Sequence, residues 1–189
     1  NESVTIPAGE EIFSDEISFR VKPLGTVSVS IYLKDFTQMR SAVVITGPLS
    51  GGFYSVGNQT LASVLPLNET RTTQTYYFFT GADVFTEDNN RAVICYGDSI
   101  TSQNWPDELQ LLCNADPYNQ TAIIRRAASG TRVLREYSCI TYESYGLCGK
   151  RRFEREISTV SSAAAVIIQQ GINDIIHPVG TEVNPFRPM

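Results

Sequence analysis

Three short apolar runs, each halted by glycine and polar residues, constrain the fold of this chain more than any other feature. Residues 92–96 end at Gly97-Asp98-Ser99-Ile100-Thr101. Residues 122–128 end at Ser129-Gly130-Thr131-Arg132, and residues 163–170 end at Gly171-Ile172-Asn173-Asp174. Runs of this length, rich in β-branched residues and bounded by turn formers, read as buried strands. Between the first two, Trp105, Leu109 and Leu112 recur at helical spacing. Asn104 stands as N-cap there, and Pro106, Asp107 and Glu108 suit a first turn. Between the second and third, Phe153, Ile157 and Val160 mark another helical face. Strands joined by helical crossovers are parallel. All three carboxyl ends, and the polar motifs behind them, then fall on the sheet edge where open α/β folds hold ligands.

At these residues the chain resembles the SGNH, or GDSL-type, hydrolases. Gly97-Asp98-Ser99-Ile100-Thr101 is similar to the nucleophile block of that family, Ser129-Gly130 with Arg132 to its glycine block, and Gly171-Ile172-Asn173-Asp174 to its Gly-x-Asn-Asp block. The likeness covers about residues 91–189. The wording of Tyr142-Glu-Ser-Tyr-Gly146 and of residues 171–178 resembles a bacterial subgroup with an extra amino-terminal β-domain. The resemblance implies a flavodoxin-like α/β domain carrying an esterase or lipase activity.

The chemistry explains why such residues are needed. A serine hydroxyl is a weak nucleophile until a base accepts its proton. Attack on an ester carbonyl puts charge on oxygen, and preorganised donors around that oxygen lower the barrier. The resemblance makes Ser99 the catalytic nucleophile. It makes the oxyanion donors the backbone N–H groups of Ser99 and Gly130 and the side-chain amide of Asn173. Glycine at 130 suits a backbone that approaches substrate closely.

Each residue alone also has a plainer role: Ser99 as a turn cap, Asn173 as a helix or turn cap. The three matching strand ends favour the catalytic role for the set. Asp98 and Asp174 read as hydrogen-bonding, turn-shaping groups rather than proton carriers, and with His177 they are candidates to line the substrate. Arg125, Arg126, Arg132 and Arg135 fit either attraction of an anionic group or a solvated, locally paired surface, and the surface is favoured.

The departure from the family lies in its last block, Asp-x-x-His, which supplies the base and its orienting acid late in the domain. No separate block of that kind follows the third motif. The spacing occurs only as Asp174-Ile-Ile-His177, overlapping the third block. His177, the single histidine, stands near the presumed active edge but not where the family keeps its base. It is expected to be a loop or substrate-lining residue. The expectation is therefore a fragment, with base and acid beyond Met189 and too little of the domain to be active alone.

The first part of the chain differs. Ile17, Phe19 and Val21 alternate with polar residues, as do Val27, Val29, Ile31 and Leu33. Further β-rich runs cover residues 42–46 and 72–80, with glycine and proline turns between them. This pattern predicts a jelly-roll-like β-sandwich accessory domain over residues 1–88, then a polar linker at 87–90 and the incomplete α/β domain over 91–189. Tyr32, Phe53, Tyr54, Tyr76 and Tyr77 could stack on a sugar, but half-buried sheet positions are favoured.

Composition narrows the partners. A formal charge of −5 gives no basic surface for nucleic acid. No apolar run reaches a membrane span. No spacing suggests metal ligands, and no cofactor is expected. Cys95 and Cys113 read as buried thiols, while Cys139 and Cys148 flank a loop and could pair. Asn58, Asn68 and Asn119 head glycosylation-type triplets, which matter only in a secreted eukaryotic protein. The compartment is left open, with cytoplasm favoured over secretion. The expected function is a serine esterase acting on a short ester or acylated carbohydrate through an acyl-serine. The alternative is a non-catalytic glycan-binding protein whose SGNH-like domain is inactive.

Overall fold

The computed structural model describes residues 3–37, 42–87, 89–118, 121–137 and 145–177. Its organising element is a parallel three-stranded sheet. Four short strands precede it: β1 (Val43–Val44), β2 (Gly52–Tyr54), β3 (Arg71–Thr73) and β4 (Thr75–Tyr76). The sheet itself is built from β5 (Arg91–Gly97), β6 (Thr121–Ala127) and β7 (Ala163–Gln169), in the order β6-β5-β7. Helices α1 (Trp105–Ala115) and α2 (Gly149–Ser158) form the crossovers, and the short α3 (Ile172–Ile176) follows β7. The central strand carries the core. Ile94 and Cys95 are fully buried and Tyr96 nearly so, joined by Ala92, Ala127, Tyr137 and Cys148. Burial pushes the Cys95 thiol up to about 11, so it behaves as a small apolar group rather than a nucleophile.

The register matters for everything that follows. Gly97 is paired with Ala127 on one side and with Gln169 on the other. The three strands therefore end level, and the three polar motifs leave the sheet side by side.

The helices form where the spacing predicts, but their packed faces differ from the apolar pattern. On α1, Leu112 is 71% exposed. The seam runs instead through Pro106, Asp107 and Gln110. Gln110 explains the shift: its Nε2 donates to the Thr121 carbonyl at 3.1 Å, and its Oε1 accepts from Ile123 N–H at 2.8 Å. Those are outward-facing backbone groups of the edge strand β6, which must find a partner. Asn104 occupies the N-cap, yet its side chain makes no capping bond. On α2 the buried residues are Gly149 and Arg152, with Phe153 meeting the Tyr96 ring edge-on at 5.3 Å. Val160 lies beyond the helix, in the turn before β7.

The amino-terminal half holds two antiparallel pairs, β1 with β4 and β2 with β3. Among the described residues these four are its only strands. The alternating residues Ile17, Phe19, Val27 and Ile31 are exposed. Alternation supplies a strand with an apolar face, but pairing partners and a second layer must cover it, and two-stranded ribbons lack that layer. For the same reason Tyr32, Phe53, Tyr54 and Tyr77 are exposed rather than half-buried; only Tyr76 is partly covered. Part of the linker reading falls on residue 88, outside the described residues.

This half is tied to the sheet by named bonds. Thr46 N–H donates to the Ser102 carbonyl at 2.9 Å and Leu49 N–H to Asp107 Oδ2 at 2.9 Å. Arg126 Nη1 donates to the Thr80 carbonyl at 2.6 Å. Asp107 in turn forms a buried ion pair with Arg125. Among the described residues, no helix is long and apolar enough to cross a membrane.

Candidate active site

Ser99 follows β5 by two residues and is held on a tight turn. Asp98 makes that turn: its Oδ1 accepts from Ile100 N–H at 3.0 Å, and its carbonyl accepts from Ser102 N–H at 3.0 Å. Asp98 is 1% exposed, so it shapes the turn from below rather than lining a surface. At Gly97, any Cβ would overlap Thr101 Oγ1 and the Gln169 carbonyl, so only glycine lets the turn fold back against β7. The Ser99 hydroxyl makes no hydrogen bond to any described residue, and neither does its N–H.

The glycine block leaves β6 beside it, with Ala128 N–H donating to the Gly97 carbonyl at 3.1 Å. Gly130 has φ +77°, the left-handed region that disfavours side chains. A Cβ there would also come within 2.6 Å of the Tyr145 ring. Glycine is thus required by backbone conformation and by aromatic packing as well as by access. The Gly130 N–H is unused among the described residues.

Thr131 is the hub of this loop and is 1% exposed. Its hydroxyl donates to the Ala128 carbonyl at 2.7 Å and accepts from Gln170 Nε2 at 3.0 Å and Arg152 Nη2 at 3.4 Å. Its carbonyl accepts from Asn173 Nδ2 at 3.0 Å. An amide NH₂ has two protons; the bond to Thr131 spends one, which fixes the group's orientation and leaves the other to donate elsewhere. Asp174 holds the same loop, with Oδ2 accepting from Val133 N–H at 2.7 Å and Oδ1 from Leu134 N–H at 3.4 Å. Both carboxylate oxygens of Asp174 are thus engaged by backbone N–H groups of that loop.

His177 does not pair with Asp174 despite the Asp-x-x-His spacing. Its Nδ1 meets the Tyr137 hydroxyl at 2.7 Å, and its carbonyl accepts from Arg132 Nη1 at 3.0 Å. It is 9% exposed, too covered to line an open surface. Burial, and secondly the Arg132 charge, hold its pKa below the ordinary imidazole value. Arg132 departs from a solvated surface role: it is buried, donating also to the Arg135 and Glu136 carbonyls at 3.3 and 2.5 Å, and its guanidinium lies 4.1 Å from the Tyr137 ring centre. The Arg125 side chain is buried as well, paired with Asp107, and Arg126 reaches the Thr80 carbonyl.

Arg152 was missed by the apolar pattern, which has no signal for a cation on a buried helix face. Its guanidinium pairs with Glu156 at 2.7 Å and stands 4.9 Å from the Tyr96 ring centre. Burial pushes the Tyr96 phenol up to about 12, with Arg152 opposing; the hydroxyl stays protonated and donates to the Gly149 carbonyl at 2.5 Å.

Cys95, Cys113 and Cys148 are free thiols, Cys113 only partly buried, and the suggested partner Cys139 lies outside the described residues. Residues 142–144 of the tyrosine-rich segment lie outside them too, as do Asn119 and residues 178–189. No group of three or more His, Cys, Asp or Glu among the described residues could hold a metal ion. No protein-family model matches this chain, and no curated protein matches it.

Proposed function

We propose that the protein is a serine hydrolase of the SGNH type that cleaves short carboxylic esters through an acyl-serine. The observation that carries this reading is the convergence at one sheet edge. A mostly buried turn holds the half-buried Ser99, two unused N–H groups belong to Ser99 and Gly130, and the Asn173 amide has one proton committed and one to spare. Three donors of this kind suit a tetrahedral oxyanion. The strand order β6-β5-β7 supports the same reading, since it is the order in which flavodoxin-like sheets begin. Such sheets bind ligands where the order reverses, here beyond β5 and β7, between Ser99 and Asn173. Two N–H groups and an amide stabilise an ester's developing charge without a metal or cofactor in the step.

On this reading Ser99 Oγ attacks the ester carbon, its proton passes to a base, and the carbonyl oxygen becomes an oxyanion. Collapse expels the alcohol and leaves an acyl-serine, which water then hydrolyses. No described residue hydrogen-bonds the Ser99 hydroxyl, so the described residues assign no base to it. The test is hydrolysis of p-nitrophenyl acetate by the full-length protein, with covalent labelling by a fluorophosphonate mapped by mass spectrometry. Label on Ser99, and background turnover in Ser99→Ala, is the expected result. Turnover that survives in Ser99→Ala, or label on another residue, removes the nucleophile assignment.

A further inference from the structure

We infer that Arg152 is a positioning residue that sets the spacing between the nucleophile turn and the oxyanion loop. The inference rests on the hydrolase reading for its catalytic consequence, but its geometry is independent of it. Arg152 Nη2 donates to the Gly97 carbonyl at 3.2 Å and lies 3.4 Å from Thr131 Oγ1. Gly97 is two residues before Ser99, and Thr131 is the residue after Gly130. One nitrogen therefore links the two backbone segments that carry the unused N–H donors.

The guanidinium is itself fixed. Arg152 is 6% exposed, Glu156 holds Nη1 one helical turn along α2, and Tyr96 underlies the group. The α2 amino terminus docks on the same loop, with Gly149 N–H donating to the Arg132 carbonyl at 2.8 Å and Lys150 N–H to the Val133 carbonyl at 2.9 Å. A rigid helix thus presents a planar fork beneath both segments. Lysine keeps the charge opposite Glu156 but offers one tetrahedral nitrogen, which cannot serve Glu156, Gly97 and Thr131 with a fork's geometry. An oxyanion hole is sensitive to small displacements, because its donors must meet the transition-state oxygen rather than the substrate carbonyl.

The experiment compares Arg152→Lys and Glu156→Gln with the wild-type protein, each assayed well below its own melting temperature. Arg152→Lys should lower kcat on the order of tenfold to a hundredfold with little change in KM, as misplacement of reacting groups does. Glu156→Gln, which removes the ion pair but leaves Gly97 and Thr131 in contact with Arg152, should keep kcat within about twofold. Equal kcat losses in both variants, or full turnover in Arg152→Lys, would overturn the positioning role. Should Arg152→Lys not fold, Thr131→Val cuts the same link from the other end; wild-type kcat in that variant overturns the inference.

Amide hydrogen exchange separates this inference from the function it rests on. Should the full-length wild-type protein show no Ser99-dependent hydrolysis, the hydrolase reading fails. Faster exchange over residues 97–102 and 128–133 in Arg152→Lys, against Glu156→Gln, still supports the tether, and unchanged exchange there refutes it.

Discussion

Replacing Asn173 with alanine separates stability from chemistry at one residue. The side chain is 6% exposed, and its recorded bond is Nδ2 to the Thr131 carbonyl at 3.0 Å. Alanine removes that donor, leaving Thr131 O with Gln170 Nε2 at a long 3.5 Å. A neutral hydrogen bond lost from a site where a weak partner remains costs about 1 kcal/mol. For a chain of this size that is a fall in Tm of roughly 2–4 °C. The effect on turnover should be far larger: losing an oxyanion donor costs about 2.7–4 kcal/mol of transition-state stabilisation, or roughly a hundredfold to a thousandfold in kcat. KM should change little, since the amide acts on charge that exists only in the transition state. Asn173→Asp, nearly isosteric, should be worse on both counts, because a carboxylate would face the Thr131 carbonyl and the oxyanion with no proton to offer. Thermal denaturation followed by circular dichroism reads the first quantity and steady-state p-nitrophenyl acetate kinetics the second. Unchanged kcat with the predicted loss of Tm would show that Asn173 is only a loop brace. A loss confined to KM would assign it to ground-state binding.

Other perturbations follow from the same geometry. Ser99→Ala should leave Tm unchanged within about 1 °C, because the hydroxyl bonds nothing described and alanine removes a single oxygen from a half-buried position; a large fall would make Ser99 structural. Asp107→Ala should cost about 3–5 kcal/mol in urea denaturation, since it strands the buried Arg125 charge and frees Leu49 N–H. A cost below about 1 kcal/mol would mean the pair is effectively solvated. His177 is held neutral by burial, so the unfolded chain takes up the proton first as pH falls through the ordinary imidazole range. Stability should therefore be lost from the ordinary value down to the lowered folded value. His177→Gln should flatten that part of the pH–stability curve measured by urea midpoints, and an unaltered slope would show that His177 does not carry it.

The sequence by itself determined the elements around the site and their order. Apolar runs stopped by glycine placed β5, β6 and β7 within a residue or two, and helical crossovers between them required parallel strands. Level strand ends then bring Ser99, Gly130 and Asn173 to one edge, a consequence of local pattern plus chain connectivity. Tertiary structure alone decided which polar groups the core would accept. Gln110 turned α1 by satisfying the edge strand, and Arg152 buried its charge because Glu156, two polar acceptors and the Tyr96 ring were waiting for it. His177 lost its apparent partner Asp174 to two backbone N–H groups of another loop. In the amino-terminal half, alternation predicted strands over 17–33 that have no pairing there among the described residues. The physical reason is common to the three polar cases. Periodicity in a sequence reports which face of an element prefers to be apolar, whereas hydrogen-bond and charge satisfaction depends largely on partners from other elements, which only the folded chain brings into reach.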